Sequence, residues 1–143
     1  MSQVSIDRAL EVAAATALGS SFAGRIATEG NPFTPPSSGA WAQFNNLRAG
    51  TDTASLGVGG MDESTGVYQI DVSVPVTSTN PKSALLGYAD TLKGYFVTGR
   101  RFTHSSQGVR VVRADVSAIR QVDGWQRISV SVTYSAFTIR PEV

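Results

Sequence analysis

The residues of this sequence that could carry out chemistry are few, and the first is its single histidine. His104 lies in the segment RRFTHSSQG, directly before Ser105 and Ser106. A serine–histidine nucleophile needs an orienting acid and an oxyanion site, and adjacency in sequence supplies neither. We therefore interpret His104 as an ordinary loop histidine and predict no catalytic residues.

Two further segments could bind a ligand, and both fall short of the known patterns. Asp62 and Glu63 could meet a cation, but two acids do not make the spaced ligand set of a calcium site. The glycine-rich segment GVGG at 57–60 is followed by Met61 and lacks the Gly-Lys-Ser/Thr of a phosphate loop. The sequence has no cysteine, which excludes thiolate metal sites. We expect no metal and no cofactor.

The basic residues do not indicate a nucleic-acid binder. The net charge is +1, from 12 basic and 11 acidic residues, and Arg100 and Arg101 form the only arginine doublet. Two charges contribute little affinity for a polyanion, and a basic stripe is absent. The doublet is expected to face solvent or to form a salt bridge between subunits. Trp41 and Trp125, at predicted strand starts, are interpreted as packing residues rather than stacking platforms.

The composition suits one domain, and we expect residues 1–143 to form it. Charged residues make up 16% of the chain, below the usual ~25%, and small polar residues replace them. Such surfaces either pack against other proteins or are solvent-exposed surfaces without a binding role. The N-terminal segment lacks a basic region followed by an apolar run, and no apolar stretch approaches the roughly 18 residues of a membrane span. We expect a protein made in the cytoplasm, with no membrane partner.

Two helices are predicted from apolar residues at helical spacing. The first covers 5–18, with Ser5 as N-cap, Asp7 in the first turn and Gly19 as its end. The second follows Asn80 as N-cap and Pro81 at the first helical position, and ends by Gly99. Its apolar stripe is wide enough to cover a sheet and comprises Leu85, Tyr88, Ala89, Leu92, Tyr95 and Phe96.

The remaining periodic segments are predicted strands. The clearest is 67–76, where Tyr68, Ile70, Val72, Val74 and Val76 alternate with polar residues. Asp123-Gly124 predicts a tight turn between strands over 109–121 and 125–139. Other predicted strands are 24–28, 40–50 and 53–58, with 100–108 as a loop or short edge strand and long loops over 29–39 and 57–66. Together these elements predict an α+β fold, with a single mostly antiparallel β-sheet and two helices packed on one face.

The order of several segments resembles the tail terminator or tail-completion proteins of long-tailed bacteriophages, including a related phage family of unknown function. No single motif carries the resemblance, which spans nearly the whole chain. It rests on the ordered set GNPFTPP (30–36), TASLG (53–57), GVYQIDVSVPV (66–76), AD (89–90) with Phe96, and DGWQRISVSVTY (123–134).

The resemblance implies a structural virion protein without catalytic residues. It implies a homohexameric ring at the head-proximal end of the tail tube, which ends tube polymerisation and then meets the head's connector proteins. The implied partners are therefore other copies of the chain, the tail tube protein and a head–tail connector or head completion protein. Specific nucleic-acid binding is not expected, although DNA can pass through such a ring.

Two other functions stay open from the sequence. One is another head–tail connector ring protein, and the other is a small-ligand or peptide-binding domain with 57–66 as a lid. The candidate assembly contacts lie in the loops and in the basic doublet, where core periodicity is missing. They are Phe33, Met61, Asp62, Glu63, Arg100 and Arg101.

Overall fold

A computed structural model of the protein describes residues 2–36, 38–53 and 60–139. Two helices, one short 3-10 helix at Ser20–Phe22 and seven strands occur in these ranges. The helices are α1 (Ser2–Leu18) and α2 (Pro81–Tyr95). The strands are β1 (Ile26–Thr28), β2 (Trp41–Thr53), β3 (Met61–Pro75), β4 (Arg101–His104), β5 (Gln107–Val116), β6 (Arg120–Val122) and β7 (Trp125–Ile139).

All seven strands belong to one curled sheet in the order β1-β2-β3-β7-β5-β4, and β6 pairs with the start of β7. Only β1 and β2 run parallel among these pairs. Both helices pack on one face, here called the inner face, and the opposite face is the outer face. The predicted α+β fold with a mostly antiparallel sheet is confirmed.

Helix α1 presents the predicted apolar face, but it begins earlier than expected. Its start at Ser2 makes Ser5 a buried residue within the helix, so the prediction of Ser5 as N-cap is wrong. Asp7 therefore lies beyond the first turn. The side chain of Gln3 donates a hydrogen bond to Ser64 Oγ at 3.4 Å, which ties the additional turn to β3. The helix ends before Gly19, whose φ of 87° favours glycine.

Helix α2 occupies the predicted segment, and Leu85, Ala89 and Leu92 are its buried residues. Pro81 is the first helical residue, as expected. Asn80 holds the N-cap position with a left-handed φ of 51°, and its side chain makes no capping hydrogen bond. The prediction of Asn80 as N-cap is confirmed for its position, where it serves as a turn residue that tolerates positive φ.

The hairpin of β2 and β3 is longer than predicted. Strand β3 begins at Met61, with Asp62 opposite Thr53, so residues 61–66 are strand and the predicted loop over 57–66 is wrong there. The predicted strand over 53–58 keeps only Thr53, at the end of β2; residues 54–59 lie outside the described ranges. Backbone pairing with both β2 and β7 accounts for the extension despite its weak apolar pattern.

The C-terminal strands confirm the predicted hairpin. Asp123 and Gly124 have φ values of 47° and 82°, as a tight two-residue turn requires. The predicted strand over 109–121 is interrupted, since β5 and β6 are separate and both pair with β7. The alternate residues of β7 that face the helices are all buried, namely Ile128, Val130, Val132, Tyr134 and Ala136.

The outer face is more enclosed than its polar pattern predicts. Asp71 is only 4% exposed, and Ser73 and Ser129 are buried beside it. The Asp71 carboxylate accepts hydrogen bonds from the Ser129 hydroxyl and from Gln69 Nε2, the latter at 3.0 Å. Arg120 Nη2 lies 3.7 Å from the same carboxylate. Because these groups satisfy it, a carboxylate can remain buried in the middle of the sheet. Ser129 thus faces away from the apolar core of the inner face and is nevertheless buried.

Gly66 lies close to backbone and side-chain atoms of both neighbouring strands. A Cβ atom at this position would lie 2.6 Å from Tyr134 Oη and 2.9 Å from the carbonyl oxygen of Leu47. We expect Gly66→Ala to lower the free energy of unfolding by about 1–3 kcal/mol, because the backbone oxygen cannot move aside cheaply. Chemical denaturation measures this change. Gly108→Ala is the matched control, since a Cβ there meets nothing within 4 Å; equal losses in the two variants would contradict the steric explanation.

None of the helices in the described residues is long and apolar enough to cross a membrane.

Candidate assembly surfaces

Two of the predicted contact residues, Met61 and Arg101, meet in a cleft on the outer face. We call it the basic cleft. Its volume is about 240 Å³, and it lies where the ends of β3 and β7 approach β4 and β5. It is lined by Met61, Arg101, Gly108, Val109, Arg110, Ser135, Ala136 and Phe137. Met61 and Phe137 are 43% and 47% exposed, so the cleft combines accessible apolar surface with two guanidinium groups.

The two arginines of the basic cleft stand directly opposite each other. Arg101 on the edge strand β4 pairs with Arg110 on β5, and both side chains are exposed. Like charges at directly opposite positions of an antiparallel pair are destabilising. Neither arginine has an ion-pair partner within the described ranges. Sequence reasoning missed Arg110, which only the strand register brings beside Arg101.

Arg100, the other member of the doublet, is engaged inside the chain. Its guanidinium lies 4.1 Å from the ring centroid of Tyr95 and 5.2 Å from that of Phe102. It also donates a hydrogen bond to the Tyr95 carbonyl oxygen at 3.0 Å. These contacts hold the segment after α2 against β4, so Arg100 and Arg101 have different surroundings despite adjacency.

Phe33 lies far along the sheet from the basic cleft, in an aromatic cluster. Its ring stacks on Trp41 with centroids 5.4 Å apart, and Trp41 meets Trp125 edge to face at 5.8 Å. Arg127 covers the other side of this cluster at 5.4 Å from the Trp41 ring. The interpretation of Trp41 as a packing residue agrees with its burial. Phe33 therefore anchors the proline-rich loop to the sheet.

Asp62 and Glu63 lie in β3 rather than in a projecting loop. Both are half-buried, and Glu63 accepts a hydrogen bond from the Ser135 hydroxyl at 2.6 Å. Strand alternation puts them on opposite faces of the sheet. They therefore cannot present a common acidic tip, as the predicted loop would have done.

His104 ends strand β4, and its Nδ1 is buried without a hydrogen-bond partner among the described residues. No acid is paired with it in that part of the chain. Within the same ranges, no group of three or more His, Cys, Asp or Glu side chains could hold a metal ion.

A second surface, which sequence reasoning did not identify, is an open groove on the inner-face side between α1 and the edge formed by β1 and β2. We call it the acidic groove. It has a volume of about 360 Å³. Three carboxylates and two guanidinium groups line it with five other residues: Asp7, Arg8, Glu11, Thr28, Glu29, Asn31, Phe44, Asn46, Arg48 and Tyr68. The Asp7–Glu11 spacing on one helical face is the only signal of the groove visible in the sequence.

Ion pairs organise the rim of the acidic groove. Arg48 lies between two carboxylates, with its guanidinium nitrogens 3.6 Å from Asp7 Oδ1 and 3.7 Å from Glu29 Oε1. Arg8 pairs with Glu11 one turn along α1. Asn46 Nδ2 donates to Asp7 Oδ1 at 3.2 Å, and the Tyr134 hydroxyl donates to Asn46 Oδ1 at 2.8 Å. A hydrogen-bonded chain thus runs from the groove into the core.

Two buried tyrosines at this site have raised pKa values. Burial is the main cause for Tyr68, and the charges of Asp7, Glu11 and Glu29 raise its pKa further, while Arg8 opposes them. Burial also raises the pKa of Tyr134, against the hydrogen bond to Asn46. Both phenols are therefore held neutral. The Tyr68 hydroxyl has no hydrogen-bond partner within the part of the chain that the structure describes.

The raised pKa values predict a loss of stability in alkali. The unfolded chain releases the phenolic protons near pH 10, while the folded chain retains them, so the free energy of unfolding falls as pH rises beyond about 10. Each tyrosine contributes a slope of up to ~1.4 kcal/mol per pH unit. Tyr68→Phe should remove one such contribution, measured by denaturation between about pH 8 and 11. An unchanged slope in this variant would contradict the assignment.

Comparisons with known proteins agree with this architecture. One solved structure, whose title states no function, superposes with a TM-score of 0.74 at 22% sequence identity and with 99% of each chain covered. At that identity the likeness shows the fold alone. No curated protein matches the chain significantly.

The family comparison identifies the class of protein. The model of the phage tail terminator protein family matches residues 5–134, from the first helix to the last strand. This is a family of structural virion proteins of the phage tail, which act together with other tail and head proteins. Because the match covers nearly the whole sequence, the chain belongs to the phage tail terminator protein family.

Proposed function

We propose that this protein forms a homohexameric ring at the head-proximal end of the phage tail tube. There it ends polymerisation of the tube protein and offers a surface for joining to the head, without catalytic activity. The observation that carries the proposal is the family match over residues 5–134. In this proposal residues 1–143 act as one domain, the ring subunit.

The surfaces of the chain support an assembly role. The outer face carries short polar side chains along β7, such as Ser131 and Thr133, which allow close approach of another protein. Exposed apolar residues accompany them at the rim, with Met61 and Phe137 beside Arg101. Methionine, aromatic residues and arginine are enriched where protein surfaces meet.

We still propose the predicted residues as assembly contacts, although they lie in different parts of the fold. Met61 and Arg101 share the basic cleft and suit a contact with a neighbouring subunit. Asp62 and Glu63 flank this cleft on β3. Phe33 and Arg100 also stack on aromatic residues of their own chain, so their role would be to hold contact loops in place.

The described structure argues against the alternative function, a small-ligand or peptide-binding domain. Its lid was the segment 57–66, and residues 61–66 are paired on both sides within the sheet. A strand bound to two neighbours cannot open and close as a lid without breaking both ladders.

Electron microscopy of the purified protein, alone and mixed with tail tubes of the same phage, tests the proposal. We expect rings with six-fold symmetry and density for them at one end of each tube, and native mass spectrometry should give six chain masses. A protein that stays monomeric and leaves both tube ends bare would refute the proposed function.

A further inference from the structure

We propose that neighbouring copies of this chain bind head to tail, with the Arg101–Arg110 pair of one copy entering the acidic groove of the next. This inference rests on the proposed ring and specifies the contact that would build it. The occupant of the groove is thus a second copy of the chain, recognised through its two guanidinium groups.

The basic cleft is arranged to receive carboxylates. Arg101 and Arg110 repel each other across β4 and β5, and neither has an ion-pair partner in the described ranges. A carboxylate placed between them removes the repulsion and adds charge-assisted hydrogen bonds, for which arginine is well suited. Exposed Met61 and Phe137 beside the pair supply apolar contact area around it.

The acidic groove has the complementary chemistry. Its three carboxylates exceed its two guanidinium groups, so it can accept further positive charge. Tyr68 lines the groove and is only 2% exposed, yet its hydroxyl makes no hydrogen bond to any described residue. The phenolic oxygen faces the groove and can accept a hydrogen bond from an arriving guanidinium group.

The positions of the two surfaces exclude their meeting within one chain. The groove includes Phe44, Asn46 and Tyr68, whose side chains share the inner face of β2 and β3. Arg110 pairs with Ser135 on the outer face, at the opposite end of the strand order. Two different complementary patches on one chain give a heterologous contact, which repeats from copy to copy and closes into a ring when the rotation allows it.

Charge reversal tests the contact directly. We expect Arg101→Glu with Arg110→Glu to weaken self-association at least about thirtyfold in sedimentation experiments, because loss of close charged pairs at an interface is expensive. Glu11→Lys with Glu29→Lys should have a comparable effect from the other side. An equimolar mixture of these two variants should assemble in alternation, because the unchanged cleft and groove attract each other at one contact and the two reversed surfaces attract each other at the next. Combining all four substitutions in one chain should restore part of the assembly.

Controls separate this inference from the proposed function. Lys82→Glu with Lys93→Glu makes the same change in net charge on exposed positions of α2 and should leave assembly unchanged. If reversal prevents folding, as judged by circular dichroism, Arg101→Gln with Arg110→Gln replaces it and should reduce the salt dependence of assembly. If the wild-type protein forms rings and the reversal variants assemble equally well, the proposed contact is wrong but the ring is not. The same conclusion holds if the lysine control is as defective in assembly as the reversal variants. A wild-type protein that never self-associates would overturn the ring as well.

Discussion

Leu92→Ala is expected to lower the free energy of unfolding by about 2–5 kcal/mol. Leu92 is 0% exposed on the face of α2 that packs on the sheet, so its truncation leaves a cavity that rigid β-strands cannot fill. Chemical denaturation monitored by circular dichroism measures the change. A stability loss of this size is a large part of the 5–15 kcal/mol typical of folded domains.

The same helix offers a matched control for this substitution. Leu86 is 41% exposed, and Leu86→Ala should cost less than about 1 kcal/mol. Equal losses at both positions would mean that helix propensity, rather than burial on the sheet, sets the cost. A small loss at Leu92 would show that α2 does not cover the core.

Removal of this protein from the phage is expected to abolish infectious particles almost completely. In the proposed function, tails without a terminator cannot join heads, so a nonsense mutant should lose several orders of magnitude in titre on a non-suppressing host. Filled heads and separate tubes should accumulate in the lysate, and wild-type protein supplied from a plasmid should restore the titre. Infectious particles of normal yield without the protein would contradict an essential structural role.

The parts of the fold with a clear apolar period were predictable from the sequence. The apolar residues of helix α2 recur at helical spacing, and the inner residues of β3 and β7 alternate with polar residues as in a strand with one buried face. The turn at Asp123-Gly124 was equally visible, because only a few residue pairs adopt two successive positive φ values.

Other elements depend on contacts that sequence patterns do not report. Residues 61–66 form a strand although Asp62 and Ser64 stand at inner-face positions where apolar residues would be expected. Ser64 has a partner there, because its Oγ lies 3.2 Å from Thr51 Oγ1, within hydrogen-bond distance. The first turn of α1 forms where Gln3 reaches β3. In both cases tertiary partners override a weak local signal.

The candidate sites illustrate the same limit. The acidic groove joins Asp7 to Asn46 and Arg48, about forty positions along the chain, and the basic cleft joins Met61 to Arg101. The sequence identified Met61 and Arg101 as separate surface residues, because loop composition and a basic doublet were visible. Their meeting, and the addition of Arg110, require the strand register.

Termination of the tail tube can be measured as the length distribution of tubes polymerised from the tube protein of the same phage. Electron micrographs of tubes grown with and without this protein give that distribution. If the protein terminates the tube, its addition should stop growth and yield shorter tubes, each with a ring at one end. Tubes of identical length in its presence and absence, with no ring at either end, would show that the protein does not terminate the tube.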